Sequence, residues 1–484
     1  MSPTIFTRRR FLKQAGGFAG ASALATALDM HKWAAAAPPD DYKTLVCVFL
    51  YGGNDGMNTV VPRSGAAYTN YAAARGPIKL AAGSLLPINP ITAQSAELGF
   101  PAAMAEMHAL FQQQQLAVLS NVGPLVVPTT RAQFLAESVA LPRDLFAHDE
   151  QQEQWQSLQS YAPNSLLTGW GGRTVDLLRS LNATSRVSLS ISINGSNVLQ
   201  IGRNVVQYQM SLGGTIALDG YQASGGDQIS TALRAIFSQS RGNMLDAAWN
   251  TKMSGANEQP RSKLRGIEHP SLNSFRGKPR GIEPEEIETE QALAGALNAA
   301  PPLTTVFPDT YFAQQLKMTA RLIGISNLLG IKRQIFFTAL GGFDTHGDQN
   351  VDHPLLLRSL SKGLDAFCKA TVELGAASKV TTFTASDFGR TLANNEQGTD
   401  HAWGNHHFIM GGAVKGGDCY GKYPTVQLGG PDDSGDQGRW IPTTAVDQYA
   451  ATLAKWFGVS ATNIPLVVPN IGRFVSRDLG FMLA

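Results

Sequence analysis

The chain has 484 residues, with 39 Lys and Arg against 37 Asp and Glu, a formal net charge of +2 at neutral pH. This length suits one large α/β domain or two smaller ones, and the balanced charge gives no concentrated basic face of the kind that nucleic-acid binding requires. Three scattered cysteines are too few for a disulfide framework or a zinc ribbon.

The N-terminus has the pattern of an export signal. The segment TRRRFLK begins at Thr7, a Gly- and Ala-rich apolar stretch follows, and Ala34, Ala35 and Ala36 offer the small residues of a cleavage site. The apolar stretch is short and rich in glycine, which favours a cleaved twin-arginine signal peptide over residues 1–36 rather than the alternative, an amphipathic or membrane-anchoring helix. The prediction is a periplasmic or secreted protein that has the twin-arginine export machinery as a partner.

The remaining chain, residues 40–484, is predicted to form the folded domain. Residues 1–36 hold five of the basic residues and one acidic residue, so the mature part has 34 basic and 36 acidic residues and a net charge near −2. No later segment has the length and apolarity of a stable membrane span.

The predicted elements begin with an apolar run at 43–50, typical of a strand that is buried on both faces of a parallel sheet. A helix at 102–114 and a second buried strand at 116–121 follow. Later predictions are helices at 312–330, 353–374 and 443–458, strands at 334–340 and 379–385, and a short strand in HHFIMGGAV. Strands that alternate with helices predict an α/β fold, with a mostly parallel central sheet and helices on both faces.

The middle of the chain departs from this alternation. Residues 186–225 are rich in Ser, Gly, Asn and Thr with short β-like runs, and residues 255–290 are polar and rich in Arg, Pro and Glu. The prediction is a small β-rich insertion at about 180–310.

Acids and histidines follow several of the predicted strands. Asp55 comes after the first strand, Asp344 and His346 after FFTAL, and Asp387 after TTFTAS, while Asp400 and His401 precede HHFIMGG. Gly and Asp are also common turn residues, so a polar turn is the alternative at each place. Because parallel strands bring their carboxyl ends to one edge of a sheet, these side chains are predicted to converge there.

Asp and His together predict a divalent metal site. Zinc or manganese suits the mixed ligands, and calcium or magnesium suits a more oxygen-rich version. The predicted metal ligands are Asp55, Asp344, His346, Asp387 and His401. Two Asp-rich halves would be able to hold two metals.

Six motifs in order carry a family resemblance. They are FLYGGNDGMNTVVP, DLFAHDEQQEQWQ, TGWGGR, LGGFDTHGDQ, TASDFGRTLANN and GTDHAWGNHHFIMGGAVKGG. Over essentially the whole mature chain they resemble an exported family called domain of unknown function 1501. That family is similar to the alkaline phosphatase and sulfatase superfamily, which implies an alkaline-phosphatase-like domain with metals bound at strand ends.

The resemblance also implies roles for individual residues. Asp55 would match the first-strand metal ligand, Asp344 with His346 or Asp348 a further ligand pair, Asp387 the acid of a later Asp-His pair and His401 the distal histidine.

Two departures stand against this assignment. Phe388 follows Asp387 where the superfamily has a histidine, which predicts weaker metal binding, or none, in the half of the site near Asp55 and Asp387. No Ser, Thr or Cys nucleophile is evident, and Ala147 stands where relatives often have serine.

The function predicted from these patterns is an exported metal-dependent hydrolase of phosphate or sulfate esters, acting on a small-molecule or polymer substrate with water activated at the metal. His148 or Arg390 is predicted to stabilise charge on the reacting ester. The alternative is a non-catalytic envelope binding or assembly protein that kept the fold. An oxidoreductase has little support, because a G-x-G-x-x-G after a strand and a C-x-x-C-H motif are both absent from the sequence.

Overall fold

The structure, a computed structural model, describes residues 38–161, 168–182, 185, 187–205, 207–213 and 293–483. The predicted signal peptide and most of the predicted insertion lie outside these residues. In the described ranges, no helix has both the length and the apolar character needed to cross a membrane.

The structure contains strands and helices in the alternation that the sequence predicts. The strands are β1 Lys43–Leu50, β2 Val61–Pro62, β3 Leu86–Ile88, β4 Leu98–Phe100, β5 Leu116–Gly123, β6 Ser190–Ser192, β7 Tyr208–Gln209, β8 Arg333–Leu340, β9 Val380–Ser386, β10 Arg390–Asn394, β11 Thr399–His401, β12 Asn405–Met410, β13 Cys419–Gly421 and β14 Thr444–Ala445. The α-helices are α1 Gly65–Arg75, α2 Ala105–Gln112, α3 Arg131–Leu135, α4 His148–Ser157, α5 Trp170–Leu178, α6 293–299, α7 Tyr311–Gly324, α8 Gln349–Glu373, α9 Val446–Phe457 and α10 Ile464–Val467.

Nine strands form the central sheet, in the order β13-β5-β12-β9-β1-β8-β6-β7 with β14 beside β5. β1 lies at its centre and pairs in parallel with β8 and β9, with Lys43 opposite Arg333 and Thr44 opposite Val380. The exception is β12, which runs antiparallel to both β5 and β9. Between β9 and β12 the chain forms the β10-β11 hairpin instead of a crossover helix, and a parallel return needs such a crossover. The mostly parallel sheet is confirmed.

Both faces of the sheet are covered, which explains the unbroken apolar runs. In β1, Val46 and Val48 belong to one core cluster, with side chains of α2, α7 and α8, while Leu45 and Phe49 belong to a second cluster, with side chains of α5 and α9. A strand buried on both sides needs apolar residues at every position. The prediction of helices on both faces is confirmed.

Several short strands pair apart from the centre of the main sheet. β2, β4 and β3 form a separate three-stranded antiparallel sheet, and β10 pairs with β11. In the part of the predicted insertion that the structure describes, β6 pairs in parallel with β8 and with β7. These β-rich residues therefore extend the edge of the central sheet.

One acidic side chain in the core has no charged partner in contact. Asp447, in the first turn of α9, is fully buried, and no side chain of the described residues donates to either carboxylate oxygen. Burial raises its pKa to about 7, although its own backbone N–H and the charge of Arg173 act in the opposite direction. The folded state therefore retains a proton that the unfolded chain releases near pH 4.

Replacing this carboxyl should change how stability depends on pH. A raised folded-state pKa gives stability that is complete below pH 4 and is lost as pH rises toward 7, so Asp447→Asn should stabilise the protein by about 2–4 kcal/mol at pH 8 and by little at pH 4. Denaturant unfolding at both pH values measures this. Asp352→Asn, at an exposed acid in the first turn of α8, is the control. An equal effect of Asp447→Asn at the two pH values would contradict the prediction.

Candidate metal centre

The carboxyl ends of β1, β8 and β9 meet at one edge of the sheet, because the three strands are parallel neighbours. The backbone around Gly52 fits closely there: its φ is +108°, and an added Cβ would lie 2.3 Å from the backbone nitrogen of Asp344. Its N–H also donates to the carboxylate of Asp387 at 3.2 Å. Glycine at this position therefore allows the segments after β1 and β8 to approach each other.

Three imidazoles surround the carboxylate of Asp344. The Nε2 atoms of His346 and His401 lie 3.1 and 3.3 Å from its Oδ1, and Nε2 of His148 lies 3.6 Å from its Oδ2. The Nε2 atoms of His346 and His401 are 3.0 Å apart. His148, Asp344 and His401 offer ligand atoms that all lie within 4.8 Å of one another.

The other nitrogen of each imidazole faces a group that accepts hydrogen bonds. These Nδ1 contacts are His148 to Asp387 Oδ2 at 2.6 Å, His346 to Asp400 Oδ1 at 3.0 Å and His401 to the Phe146 carbonyl at 2.7 Å. An imidazole with an acceptor at Nδ1 carries its proton there, which leaves the Nε2 lone pair free. Metal-binding histidines are held in this way by carboxylates and carbonyls.

The arrangement therefore fits a divalent cation. With the protons on Nδ1, the facing Nε2 atoms of His346 and His401 and the carboxylate of Asp344 are all acceptors, a set of lone pairs that a bound cation would satisfy. Three imidazole nitrogens and one carboxylate suit zinc or manganese better than calcium or magnesium, which prefer oxygen. Asp344 and His346 are 46% and 45% exposed, so solutes can reach this cluster.

The charges around the cluster shift its titrations. Burial alone would raise the pKa of Asp344, but the hydrogen bond and charge of Arg390 lower it below its ordinary value. Burial would lower the pKa of His148, and the hydrogen bond and charge of Asp387 raise it overall. Burial lowers the pKa of His401. Asp344 is therefore ionised and His401 neutral at neutral pH, the forms that bind metals, whereas the raised pKa of His148 favours its protonated form, from which a binding metal would displace the proton at Nε2.

Arg390 is turned toward the protein. It is 1% exposed, its Nη1 donates to Asp344 Oδ1 at 2.7 Å and to the Gly52 carbonyl at 3.2 Å, and its Nε and Nη2 donate to Thr399. All three guanidinium nitrogens are thus engaged. The geometry supports a role in holding Asp344 rather than the predicted role of stabilising charge on an ester.

Asp55 lies outside the cluster. Its two carboxylate oxygens accept from Arg75 at 2.7 Å each, and Oδ2 also accepts from Gln349 at 2.6 Å. Oδ1 further accepts the backbone N–H groups of Met57 and Asn58, so Asp55 caps the short 3₁₀ helix that follows β1. With an arginine already bound to both oxygens, Asp55 is a poor metal ligand.

Phe388, the residue after Asp387, places an apolar ring against the imidazoles of His148 and His401. The Phe388 ring is fully buried and lies 4.8 Å from the ring of His148 and 4.5 Å from that of His401. A Cβ on Gly53 would come within 2.5 Å of this ring. Asp387 itself accepts from His148, Gln152 and Gly52, which leaves it as the group that orients His148.

Some residues of the site were not among the sequence predictions. Gln152 follows His148 by one helical turn in α4, and this i, i+4 spacing was a readable signal. Asp400, which the sequence places beside His401 before HHFIMGG, was not a predicted ligand and holds His346 at Nδ1. Arg75, twenty residues after Asp55 at the end of α1, has no sequence signal that would pair it with that acid.

Fold and site together define an α/β protein with a histidine and carboxylate cluster at the carboxyl ends of parallel strands. The family model described as "Protein of unknown function (DUF1501)" matches residues 42–433, so the chain belongs to this family. This is the family that the six motifs resemble. No curated protein matches the chain.

Solved structures with a similar chain course include enzymes of the classes that the resemblance implies. A putative sulfatase from Bacteroides thetaiotaomicron is 9% identical, with 89% of this chain and 75% of that chain covered and a TM-score of 0.28. The phosphonate monoester hydrolase SpPMH from Silicibacter pomeroyi is 10% identical, with 88% of this chain and 77% of that chain covered and a TM-score of 0.28. A mutant of alkaline phosphatase PafA is 11% identical, with 72% of this chain and 64% of that chain covered and a TM-score of 0.23.

Proposed function

We propose that this chain is a metal-dependent hydrolase of phosphate or sulfate esters, with one divalent metal held by His148, Asp344, His346 and His401. The observation that carries the proposal is the orientation of the three imidazoles, each fixed at Nδ1 by a protein acceptor with Nε2 directed at one carboxylate. Zinc and manganese are the candidates that this ligand set favours.

The residues of the chain have distinct tasks in this proposal. A bound divalent metal would polarise an ester oxygen and lower the pKa of water toward about 7. Arg390 holds the Asp344 carboxylate, and Asp387 holds the His148 ring in the orientation and tautomer that leave Nε2 free. The exposed side of Asp344 and His346 leaves an approach open for the ester. Phe388 covers the cluster from the protein side with an apolar ring.

A second candidate is a binding protein that keeps the cluster without turnover. It is favoured by Ala147, because the residue directly before His148 has no hydroxyl to serve as a nucleophile. Under the first candidate, direct attack by water makes such a hydroxyl unnecessary.

Elemental analysis followed by an ester screen tests the proposal and separates the two candidates. The protein purified from its native export route should hold about one equivalent of zinc or manganese and hydrolyse aryl phosphates or aryl sulfates. Chelation should abolish turnover, and the returned metal should restore it. A metal-loaded protein that hydrolyses neither ester class would favour the binding protein, whereas a protein without bound divalent metal would refute both metal assignments.

We further propose export by the twin-arginine route to the periplasm or outside. Because that machinery recognises the arginine pair, replacing Arg8 and Arg9 with lysine should leave the precursor in the cytoplasm with residues 1–36 attached. Cell fractionation and N-terminal sequencing measure this. Arg10→Lys, which keeps the pair, is the control. Normal amounts of mature exported protein from the double variant would contradict the route.

A further inference from the structure

Arg439 lies beside the histidine cluster and is joined to it through two residues. Its Nε donates to the backbone carbonyl of His401 at 2.9 Å, and its guanidinium carbon lies 4.9 Å from the centre of the Phe146 ring. The carbonyl of the same Phe146 accepts from His401 Nδ1 at 2.7 Å. Arg439, Phe146 and His401 therefore form one connected unit.

The backbone around these residues is tightly determined. Phe146 has a φ of +73°, in the left-handed region that a bulky residue rarely adopts, and such a conformation persists only where surrounding contacts fix it. The loop that precedes Arg439 folds around the buried carboxylate of Asp433. That carboxylate accepts four backbone N–H groups at 2.8–3.0 Å, from Gly429, Gly435, Gly438 and Arg439. The base of the Arg439 side chain is thus held in place.

The terminal nitrogens of Arg439 differ from those of Arg390. Arg390 is buried, and all its guanidinium nitrogens donate to protein groups. Arg439 is half-buried, and over the described ranges only its Nε donates to a protein group, so both Nη atoms remain available. A guanidinium that donates through its Nε and lies over an aromatic ring, with two further N–H pairs, presents a flat fork that matches two oxygens of a tetrahedral anion.

We propose that Arg439 binds the oxyanion of the ligand, a phosphate or sulfate group, beside the histidine cluster. This inference rests on the proposed function and adds the group that recognises the charged end of the ester. Arg439 binds the charged end of the ester, which Arg390 cannot do because all its guanidinium nitrogens already donate to protein groups. Because the fork contacts non-bridging oxygens, the free inorganic anion should bind there as well as the ester.

Calorimetric titration of inorganic phosphate and of inorganic sulfate into the purified protein tests the proposal. Arg439→Gln should weaken binding of the better anion roughly tenfold or more, because it removes charge-assisted hydrogen bonds. The anion affinity of Arg439→Lys should lie between those of the wild-type protein and Arg439→Gln, since lysine keeps the positive charge but cannot form two parallel hydrogen bonds. Arg131→Gln is the matched control, because Arg131 donates to the same loop at the Gly435 carbonyl and, among the described residues, has no hydrogen bond or ring contact with Phe146 or His401. Metal content and thermal unfolding are measured on every variant.

The outcomes separate this inference from the proposed function. Weaker anion binding by Arg439→Gln, with metal content retained and Arg131→Gln unchanged, supports an anion-binding role. Unchanged anion binding, or a loss of metal in proportion to the loss of binding, overturns it, because Arg439 would then only support His401. Failure of the wild-type protein to bind either anion overturns it as well. Ester turnover and its dependence on metal are measured separately. If the wild-type protein hydrolyses the ester and Arg439→Gln binds the anion normally, this inference is refuted and the proposed function is not.

Discussion

Replacing Arg75 with methionine is expected to lower the free energy of unfolding by about 3–5 kcal/mol, because it leaves a buried carboxylate without its counter-charge. Asp55 and Arg75 are both fully buried, and the two ends of the guanidinium each lie 2.7 Å from one oxygen of Asp55. Burial alone would raise the pKa of Asp55, but the charge of Arg75 lowers it below its ordinary value. The stabilising contribution of Asp55 is therefore present above pH 4 and is lost as the pH falls.

A double-mutant cycle makes this expectation specific to the ion pair. Asp55→Asn keeps an oxygen for the N–H groups of Met57 and Asn58 but leaves Arg75 unpaired, so it should also destabilise. Combining it with Arg75→Met removes both charges and should recover part of the loss. Denaturant unfolding near pH 7 measures all four proteins. If the double variant loses as much free energy of unfolding as the two single variants together, the ion pair is not the cause of the destabilisation.

Replacing His401 with alanine is expected to lower metal affinity and metal-dependent ester turnover at least about a hundredfold, since even groups that only orient metal ligands are worth 10–100-fold. His401 is the better choice for this test. Asp344→Ala would leave Arg390, which is 1% exposed, without its charged partner, and would therefore also change stability. Elemental analysis and initial rates measure the effect, with thermal unfolding to verify the fold.

His108→Ala is the matched control for this substitution. His108 lies on α2 and bonds the Pro87 carbonyl, with no contact to the cluster in the structure. It should keep the metal and the activity of the parent protein. A His401→Ala protein that retains one equivalent of metal and normal rates would show that the imidazole cluster is not the centre.

The fold was readable from the sequence where the physical signal was local and continuous. The run 43–50 is apolar at every position because both faces of β1 are buried, and the structure has the strand at Lys43–Leu50. The direction of β12 could not be predicted, because a buried strand has the same pattern of apolar residues whether it runs parallel or antiparallel to its neighbours. It depends on what lies between β9 and β12, and that segment forms a hairpin.

The sequence predicts which residues gather at the site better than it predicts which partner each of them contacts. Strand-end positions placed Asp344, His346 and His401 in one region, and the structure brings their side chains together. The same rule also selected Asp55, whose carboxylate is bound by Arg75, a residue of a different element. Which partner a carboxylate obtains is decided by packing across the fold, and residue order along the chain does not encode it.

The pairing of Asp55 with an arginine has a consequence for the protein when divalent ions are scarce. A positive charge that belongs to the chain does not dissociate and does not depend on ion supply. The segment after β1 should therefore keep its conformation in a chelated sample, and removal of the metal proposed for the histidine cluster should not unfold that side of the sheet edge. Under the proposed function, the chelated protein should therefore stay folded and regain activity when the metal is added back, without refolding of this segment.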